Sequence, residues 1–216
     1  VVETSVEGSQ RVKVRSAFIG DYNVHNLLAV IGAWRALGVS LSEVAEVVPS
    51  LSAVPGRMQS LGGAEQPLVV VDYAHTSDAL EKALSALEPV AAQRGGRLWC
   101  VFGCGGDRDR SKRPLMGSAA ASRAEILVVT SDNPRNEAPE QILQDILQGV
   151  PSAVESVVMV DRGQAIDHAV LQAAAQDVIL VAGKGHEDYQ EVLGQRLPFS
   201  DVACIQAALE QRSVRG

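Results

Sequence analysis

The chain has 216 residues, 46% of them hydrophobic and 21% charged, which is ordinary for a globular protein able to bury a core. Its net charge of −7 and pI near 5.1 argue against nonspecific binding to nucleic acid or to an anionic membrane, since both need a basic face. No apolar run approaches a membrane span, and Val1-Val2-Glu3-Thr4-Ser5 lacks the basic-then-apolar order of a signal peptide, so a cytoplasmic location is expected.

Residues 1 to 19 alternate loosely, with Val12, Val14 and Phe18 separated by Arg11, Lys13 and Arg15, which predicts one or two antiparallel strands. From Val24, the positions Leu27, Val30, Ile31 and Trp34 recur at helical spacing up to Gly38. Ser40 is placed to cap a second helix carrying Leu41, Val44 and Val47. Pro49 through Pro55 and Gly56 read as a linker, which sets a domain boundary near residue 54. The first segment, 1–53, is then a strand-helix-helix tail too short of strands for its own sheet.

Beyond the linker, strands and helices alternate, the pattern of a mostly parallel sheet covered by helices on both faces. Segment 54–216 is therefore expected to be a Rossmann-like α/β domain. Its strands are Leu68–Val71, Leu98–Phe102, Ile126–Val129, Val157–Val160 and Val178–Val181. Helices are expected from about Leu80, Pro114, Ile142 and Asp161, followed by a hairpin around Gly194 and a closing helix opened by Ser200. Cys100, Cys104 and Cys204 form no C-x-x-C pair, so neither a disulfide frame nor a zinc site is predicted.

Chemistry-bearing residues gather in loops that follow strands, and in a parallel sheet such loops share the edge where ligands bind. Thr130-Ser131-Asp132-Asn133-Pro134-Arg135 offers a carboxylate, a carboxamide and a planar fork of donors, a set able to hold a zwitterion. Its bland alternative is a strand-to-helix turn, because Asp, Asn and Pro are common turn residues. Gly103 to Arg113 puts four basic side chains beside glycines; read conservatively, it is a solvated charged loop. Gly183-Lys184-Gly185 looks like a scrap of a phosphate loop, but the full G-x-x-x-x-G-K-[ST] pattern does not occur in this chain. Asp72 and His75 end the first strand of the second segment, where an acid often takes ribose hydroxyls and a histidine is as easily a turn residue. Asn23 and Asn26 bracket a helix start, where capping explains them as well as ligand contact does.

Six pieces carry a family resemblance: Gly20-Asp21-Tyr22-Asn23-Val24-His25-Asn26, Gly56-Arg57-Met58, Asp72-Tyr73-Ala74-His75-Thr76, Gly103-Cys104-Gly105-Gly106-Asp107-Arg108-Asp109, Asp132-Asn133-Pro134-Arg135 and Gly183-Lys184-Gly185-His186-Glu187. In this order they resemble the ATP-dependent Mur ligases of peptidoglycan synthesis, in particular the branch that adds meso-diaminopimelate to UDP-N-acetylmuramoyl-L-alanyl-D-glutamate.

The resemblance implies that 1–53 is the tail of the family's central ATPase domain and 54–216 its C-terminal domain, with the P-loop and the Mg2+ ligands upstream. It places Asn23 and Asn26 near adenine, and Arg57, Asp72 and His75 around ribose and phosphates. Arg108 and Arg135 would clamp the distal carboxylate of diaminopimelate, with Asn133 and Pro134 in the same loop. Asp132, Glu187 and the carbonyl of Gly183 would take the distal ammonium. No catalytic group and no metal ligand is assigned within the chain. The partners implied are ATP, diaminopimelate and the UDP-linked dipeptide, with no nucleic acid, no membrane span and a monomeric state. Thr76 departs from the family, many of whose members carry proline there. Rival readings are a lysine-adding or folylpolyglutamate-type ligase, against which Arg108 and Arg135 both speak, and a binding module without turnover.

Overall fold

The computed structural model describes the backbone of residues 2–5, 8–16 and 18–215, and the side chains of 12–16, 18–20 and 23–214. The chain divides into two compact units, one ending at Ala53 and the other beginning at Val54.

In the first unit, β1 (Val2–Ser5) and β2 (Gly8–Arg11) form an antiparallel pair, followed by α1 (Asp21–Ala36) and α2 (Leu41–Val47). The strand expected around Val12, Val14 and Phe18 is not there: the described residues from Val12 to Ile19 are irregular. Val12 and Val14 instead pack against a small cluster of Ile31, Leu41, Val44 and Val48, so hydrophobic demand from the helices overrides the alternation. The start of α2 is fixed by a capping box. Ser40 Oγ accepts the Glu43 N–H at 3.2 Å, and Glu43 Oε2 accepts the Ser40 N–H at 2.8 Å.

The second unit is built on a six-stranded sheet. Its strands are β3 (Gln59–Gly62), β4 (Leu68–Asp72), β5 (Leu98–Phe102), β6 (Ile126–Val129), β7 (Glu155–Val158) and β8 (Val178–Ala182), in the order β3-β4-β8-β5-β6-β7. Only β3 runs antiparallel to its neighbour. This edge strand escaped the sequence reading because Gln59-Ser60-Leu61-Gly62 is short and barely apolar, and its partner rather than its own pattern makes it a strand. β7 begins two residues earlier than the apolar run Val157–Val160 suggests, since its register with β6 pairs Glu155 with Ile126.

The buried strands β5, β6 and β8 are apolar on both faces because helices cover both. α3 (Ser77–Arg94), α4 (Lys112–Ala121) and α5 (Pro139–Leu147) follow β4, β5 and β6. α6 (Arg162–Gln172) and α7 (Asp201–Arg215) pack together on Val69, Val71, Val101, Val128, Ile179 and Val181. A hairpin of β9 (Tyr189–Val192) and β10 (Gln195–Pro198) separates β8 from α7.

The strand order places the site. Connections β5 to β6 to β7 progress outward, whereas α6 returns the chain to insert β8 between β4 and β5. Loops leaving β8 and its neighbours therefore diverge, opening a crevice beyond their C-terminal ends. Gly56, expected in the linker, is instead buried with φ 69°, and a Cβ there would overlap the backbone of Gly185 and His186. It is a packing residue at the crevice's edge.

Candidate functional site

A cavity of about 460 Å³ lies in this crevice, lined by residues from the loops after β4, β5, β6 and β8. Of the residues assigned to an amino acid, it brings together Arg108, Asp132, Asn133, Arg135, Gly183 and Glu187. His75 joins them from the set assigned to ATP. Pro134 does not line it; its carbonyl accepts the Glu137 N–H at 3.1 Å and shapes the turn.

The β6 loop is held from three sides. From the hairpin, the Glu191 carbonyl accepts the Arg135 N–H at 2.9 Å and the Leu193 N–H donates to the Arg135 carbonyl at 2.8 Å, while Gln190 Nε2 reaches the Asp132 carbonyl at 2.7 Å. These bonds keep Arg135 at φ 52°, a left-handed conformation unusual for a side-chain-bearing residue. From the β5 loop, the Gly106 N–H donates to the Asn133 carbonyl at 2.9 Å. A Cβ on Gly106 would overlap Pro134, and one on Gly105 would come 2.9 Å from Nη1 of Arg135, so the glycines make room for the neighbouring loop and its guanidinium.

The third support was missed in the sequence. Lys184 is completely buried, and its ammonium donates to Asn133 Oδ1 at 3.0 Å and Glu187 Oε2 at 3.2 Å, with Asp132 Oδ1 at 3.5 Å. It is not a phosphate-loop lysine facing a ligand. A cation of the chain itself thus shares the acids that the family resemblance assigns to a substrate ammonium. Asp132 Oδ2 and Glu187 Oε1 are left without a hydrogen bond among the described residues. The bare Cα of Gly183, whose Cβ would stand 3.8 Å from Asp132 Oδ2, keeps that oxygen open. Asn133 is used at both ends, accepting from Lys184 and the Glu191 N–H and donating to Glu187.

The charged loop after β5 is only partly solvated. Arg113 is 1% exposed and grips Glu137 through both terminal nitrogens at 2.8 and 3.0 Å, with Asp145 at 2.8 Å. Hydrogen bonds from Arg113 hold the Glu137 carboxyl down to about 2, aided by the Asp107 N–H and the charge of Arg110. Arg108 is exposed and, among the described residues, makes a single hydrogen bond, to the Asp107 carbonyl at 3.3 Å. Cys104 lines the cavity as a thiol that burial, and then the Asp132 charge, pushes up to about 12, so it is no nucleophile there.

Two residues assigned to ribose and phosphates stand apart from this cavity's lining. Asp72 Oδ2 accepts the Met58 N–H at 2.9 Å, and burial raises its carboxyl above the ordinary range. Arg57 lies 4.8 Å above the Tyr73 ring, and Tyr73 meets His75 edge-on at 4.7 Å. Thr76 Oγ1 caps α3 by accepting the Ala79 N–H, so the departure from proline leaves the turn intact. Asn23 and Asn26 belong to the first unit, where Asn23 Nδ2 donates to the Ile19 carbonyl and Asn26 Nδ2 to Asn23 Oδ1. Among the described residues, no three or more His, Cys, Asp or Glu side chains are grouped to hold a metal ion.

Beyond its strand ends the parallel sheet thus carries one cavity lined by the Arg135 guanidinium and by the carboxylates of Asp132 and Glu187, in the crevice where α/β sheets bind ligands. Residues 56–185, more than half of the chain, match the family of the Mur ligase, glutamate ligase domain, and the chain belongs to that family. It is 56% identical over 209 residues to the UDP-N-acetylmuramoyl-L-alanyl-D-glutamate--2,6-diaminopimelate ligase of Acidovorax sp. (strain JS42), covering 97% of this chain and 42% of the relative. It is 51% identical over 216 residues to the ligase of the same name from Janthinobacterium sp. (strain Marseille), covering 100% and 42%. A solved structure of a UDP-N-acetylmuramoyl-L-alanyl-D-glutamate--2,6-diaminopimelate ligase superposes with a TM-score of 0.75 at 44% identity, over 98% of this chain and 42% of that one. The chain thus spans less than half the length of these relatives.

Proposed function

We propose that the chain is the C-terminal part of an ATP-dependent ligase that joins meso-diaminopimelate to UDP-N-acetylmuramoyl-L-alanyl-D-glutamate in peptidoglycan synthesis. The observation that carries this reading is the Arg135 guanidinium, open at Nη2 and lining the same cavity as Asp132 and Glu187. A second carboxylate is what separates diaminopimelate from lysine, and a planar fork is the side chain suited to read it. In this reading Arg135 and Arg108 grip the distal carboxylate. Asp132 Oδ2, Glu187 and the Gly183 carbonyl receive the distal ammonium, with Lys184 fixing the two acids and Asn133 between them. The amine at the other end is left to attack the D-glutamate carboxyl, activated by ATP as an acyl phosphate. ADP is released from the γ-phosphoryl group as the acyl phosphate forms, and phosphate is expelled when the amine attacks and the amide forms.

Arg57, Asp72 and His75, with Asn23 and Asn26, are assigned to the adenosine side of ATP. Mg2+ is assigned to the whole enzyme, as the companion of ATP in the family reaction. A cytoplasmic, monomeric enzyme fits the acidic composition and the lack of any described helix long and apolar enough to cross a membrane. Since G-x-x-x-x-G-K-[ST] does not occur in these 216 residues, the chain by itself should release no phosphate from ATP.

The test is calorimetric titration of the chain with meso-diaminopimelate and, separately, L-lysine. Saturable binding of diaminopimelate at least tenfold tighter than lysine is expected. Equal affinity for the two would reject the reading and return the Asp132 loop to a strand-to-helix turn.

A further inference from the structure

We propose that Glu191 is a positioning residue that sets the amino-acid selectivity of the cavity, by holding the Arg135 guanidinium from its Nε side so that its terminal nitrogens serve the ligand. The inference rests on reading the cavity as a diaminopimelate site. Glu191 does not line the cavity, so it acts through Arg135 and not by contact.

The geometry is a clamp on one donor edge. Arg135 Nε donates to Glu191 Oε2 at 3.0 Å, and one N–H of Nη1 goes to the Gly106 carbonyl at 2.8 Å. A guanidinium has five N–H donors. Those left are the second N–H of Nη1 and both on Nη2, the donors of an end-on, two-point grip on a carboxylate. Without Glu191, the Nε edge would be as free as the end-on edge, and the plane could turn about its last torsions to offer either. The β9–β10 hairpin fastens the backbone of the same residue, the Glu191 carbonyl accepting the Arg135 N–H and the Leu193 N–H, just past β9, donating to its carbonyl, so one hairpin sets both the left-handed turn and the side-chain plane. Arg196, across from Glu191 in the hairpin, is stacked 4.4 Å above Tyr189.

Selectivity follows from the restriction. An arginine with one presented edge rewards a carboxylate at one place in the cavity, whereas a mobile one accepts anions loosely and loses more rotamer freedom on binding. Lysine bound with its α-amine at the reacting end has no carboxylate at the distal end and is indifferent to where the fork points.

The experiment titrates the chain, Glu191→Ala, Glu191→Gln, Arg135→Ala and the Glu191→Ala/Arg135→Ala pair with meso-diaminopimelate and L-lysine. In parallel, hydrogen exchange at Arg135 Nε is followed by ¹⁵N NMR. Glu191→Ala should weaken diaminopimelate roughly tenfold, within the range of one hydrogen bond to a charged group. Lysine should be unaffected, Glu191→Gln should fall in between, and the effect should vanish in the Arg135→Ala background. Nε–H should be slow to exchange in the parent and fast in Glu191→Ala. A Glu191→Ala effect that persists without Arg135, or that weakens lysine equally, would overturn the proposal in favour of general support of the hairpin. If the parent binds no diaminopimelate, the reading of the cavity fails and selectivity with it. The exchange measurement still judges the clamp separately, and unchanged protection in Glu191→Ala overturns it.

Discussion

Arg162 and Arg135 both lie beyond the C-terminal ends of the central strands, and their donors have opposite destinations. Arg162 is 1% exposed, and each of its nitrogens has a protein acceptor: Asp201 at 2.7 and 2.8 Å, the Ser131 carbonyl at 3.3 Å and the Ala182 carbonyl at 2.9 Å. It ties α7 to the residues that lead into Asp132 and Gly183. Arg135, 19% exposed, keeps Nη2 without a hydrogen bond among the described residues. Arginine count at a strand edge therefore says little about recognition; what separates strut from reader is whether the guanidinium's hydrogen-bonding capacity has been used up internally.

Removing the strut should give the largest effect. Arg162→Met leaves the buried Asp201 carboxylate without its partner, and breaking such a pair costs roughly 3 to 5 kcal/mol. Urea denaturation of the chain should show it, and Arg162→Met with Asp201→Leu should recover much of the loss, because a packed apolar pair replaces a buried ionic one. A change below about 1 kcal/mol in the single variant would mean that the pair is not internal to the folded unit.

Removing the reader should spare stability and cost binding. Arg135→Ala should weaken meso-diaminopimelate by roughly 2 to 5 kcal/mol, since the ligand carboxylate loses its positioned partner and keeps only the exposed Arg108. Arg135→Lys should recover only part, a point charge being unable to reproduce the fork. Calorimetry with both ligands checks this, and undiminished diaminopimelate affinity in Arg135→Ala would erase the distinction between the two arginines.

Arg113 is a second strut, and pH tests it. Glu137 is held at about 2 in the folded chain against an ordinary 4.5, so the unfolded chain takes up this proton first as pH falls. Its stabilising contribution is complete above pH 4.5 and is lost on descending from there to about 2. Asp145, lowered by hydrogen bonds from Gln141 and then Arg113, acts in the same direction below its ordinary 3.8. Denaturation curves from pH 6 to 2.5 should therefore slope less in Glu137→Gln than in the parent, with about 1 to 3 kcal/mol separating them near neutrality. Parallel curves would place Glu137 outside the folded network.

The alternation of strands and helices was legible because buried strands such as Val178–Ala182 and capped helices such as α2 declare themselves locally. The crevice was legible too, since a parallel sheet brings all strand-end loops to one edge. The struts were not. Arg113 sits in a run of charges that reads as solvent-facing, and Arg162 follows Asp161 in what looks like a plain helix start. Lys184 lies between glycines that suggest a phosphate. Their partners Glu137, Asp201 and Asn133 stand 24, 39 and 51 positions away, so only the folded arrangement reveals the pairings. Glu191 was hidden likewise, 56 positions from Arg135 in a hairpin that was expected around Gly194 but given no part in the site.

Arg108 sharpens the comparison at its weakest end. It lines the same cavity as Arg135 but is exposed, with one hydrogen bond among the described residues, at 3.3 Å to the carbonyl of the preceding residue, and no acid among them holding its plane. Such a side chain must be ordered when a carboxylate arrives, and water and salt screen the charge it brings. Exposed pairs of this kind are worth about 0.2 to 1 kcal/mol. Arg108→Ala should therefore weaken diaminopimelate only two- to fivefold at low ionic strength. The loss should shrink further when salt is raised to about 0.5 M, because the screening length then falls well below 10 Å. The deficit of Arg135→Ala should shrink less under the same salt, because that guanidinium is only 19% exposed and already held by Glu191 and the Gly106 carbonyl. Calorimetric titrations at two ionic strengths give the four numbers needed. A salt-resistant loss in Arg108→Ala as large as that of Arg135→Ala would show that the β5 loop closes over the ligand and turns an exposed arginine into a second clamp.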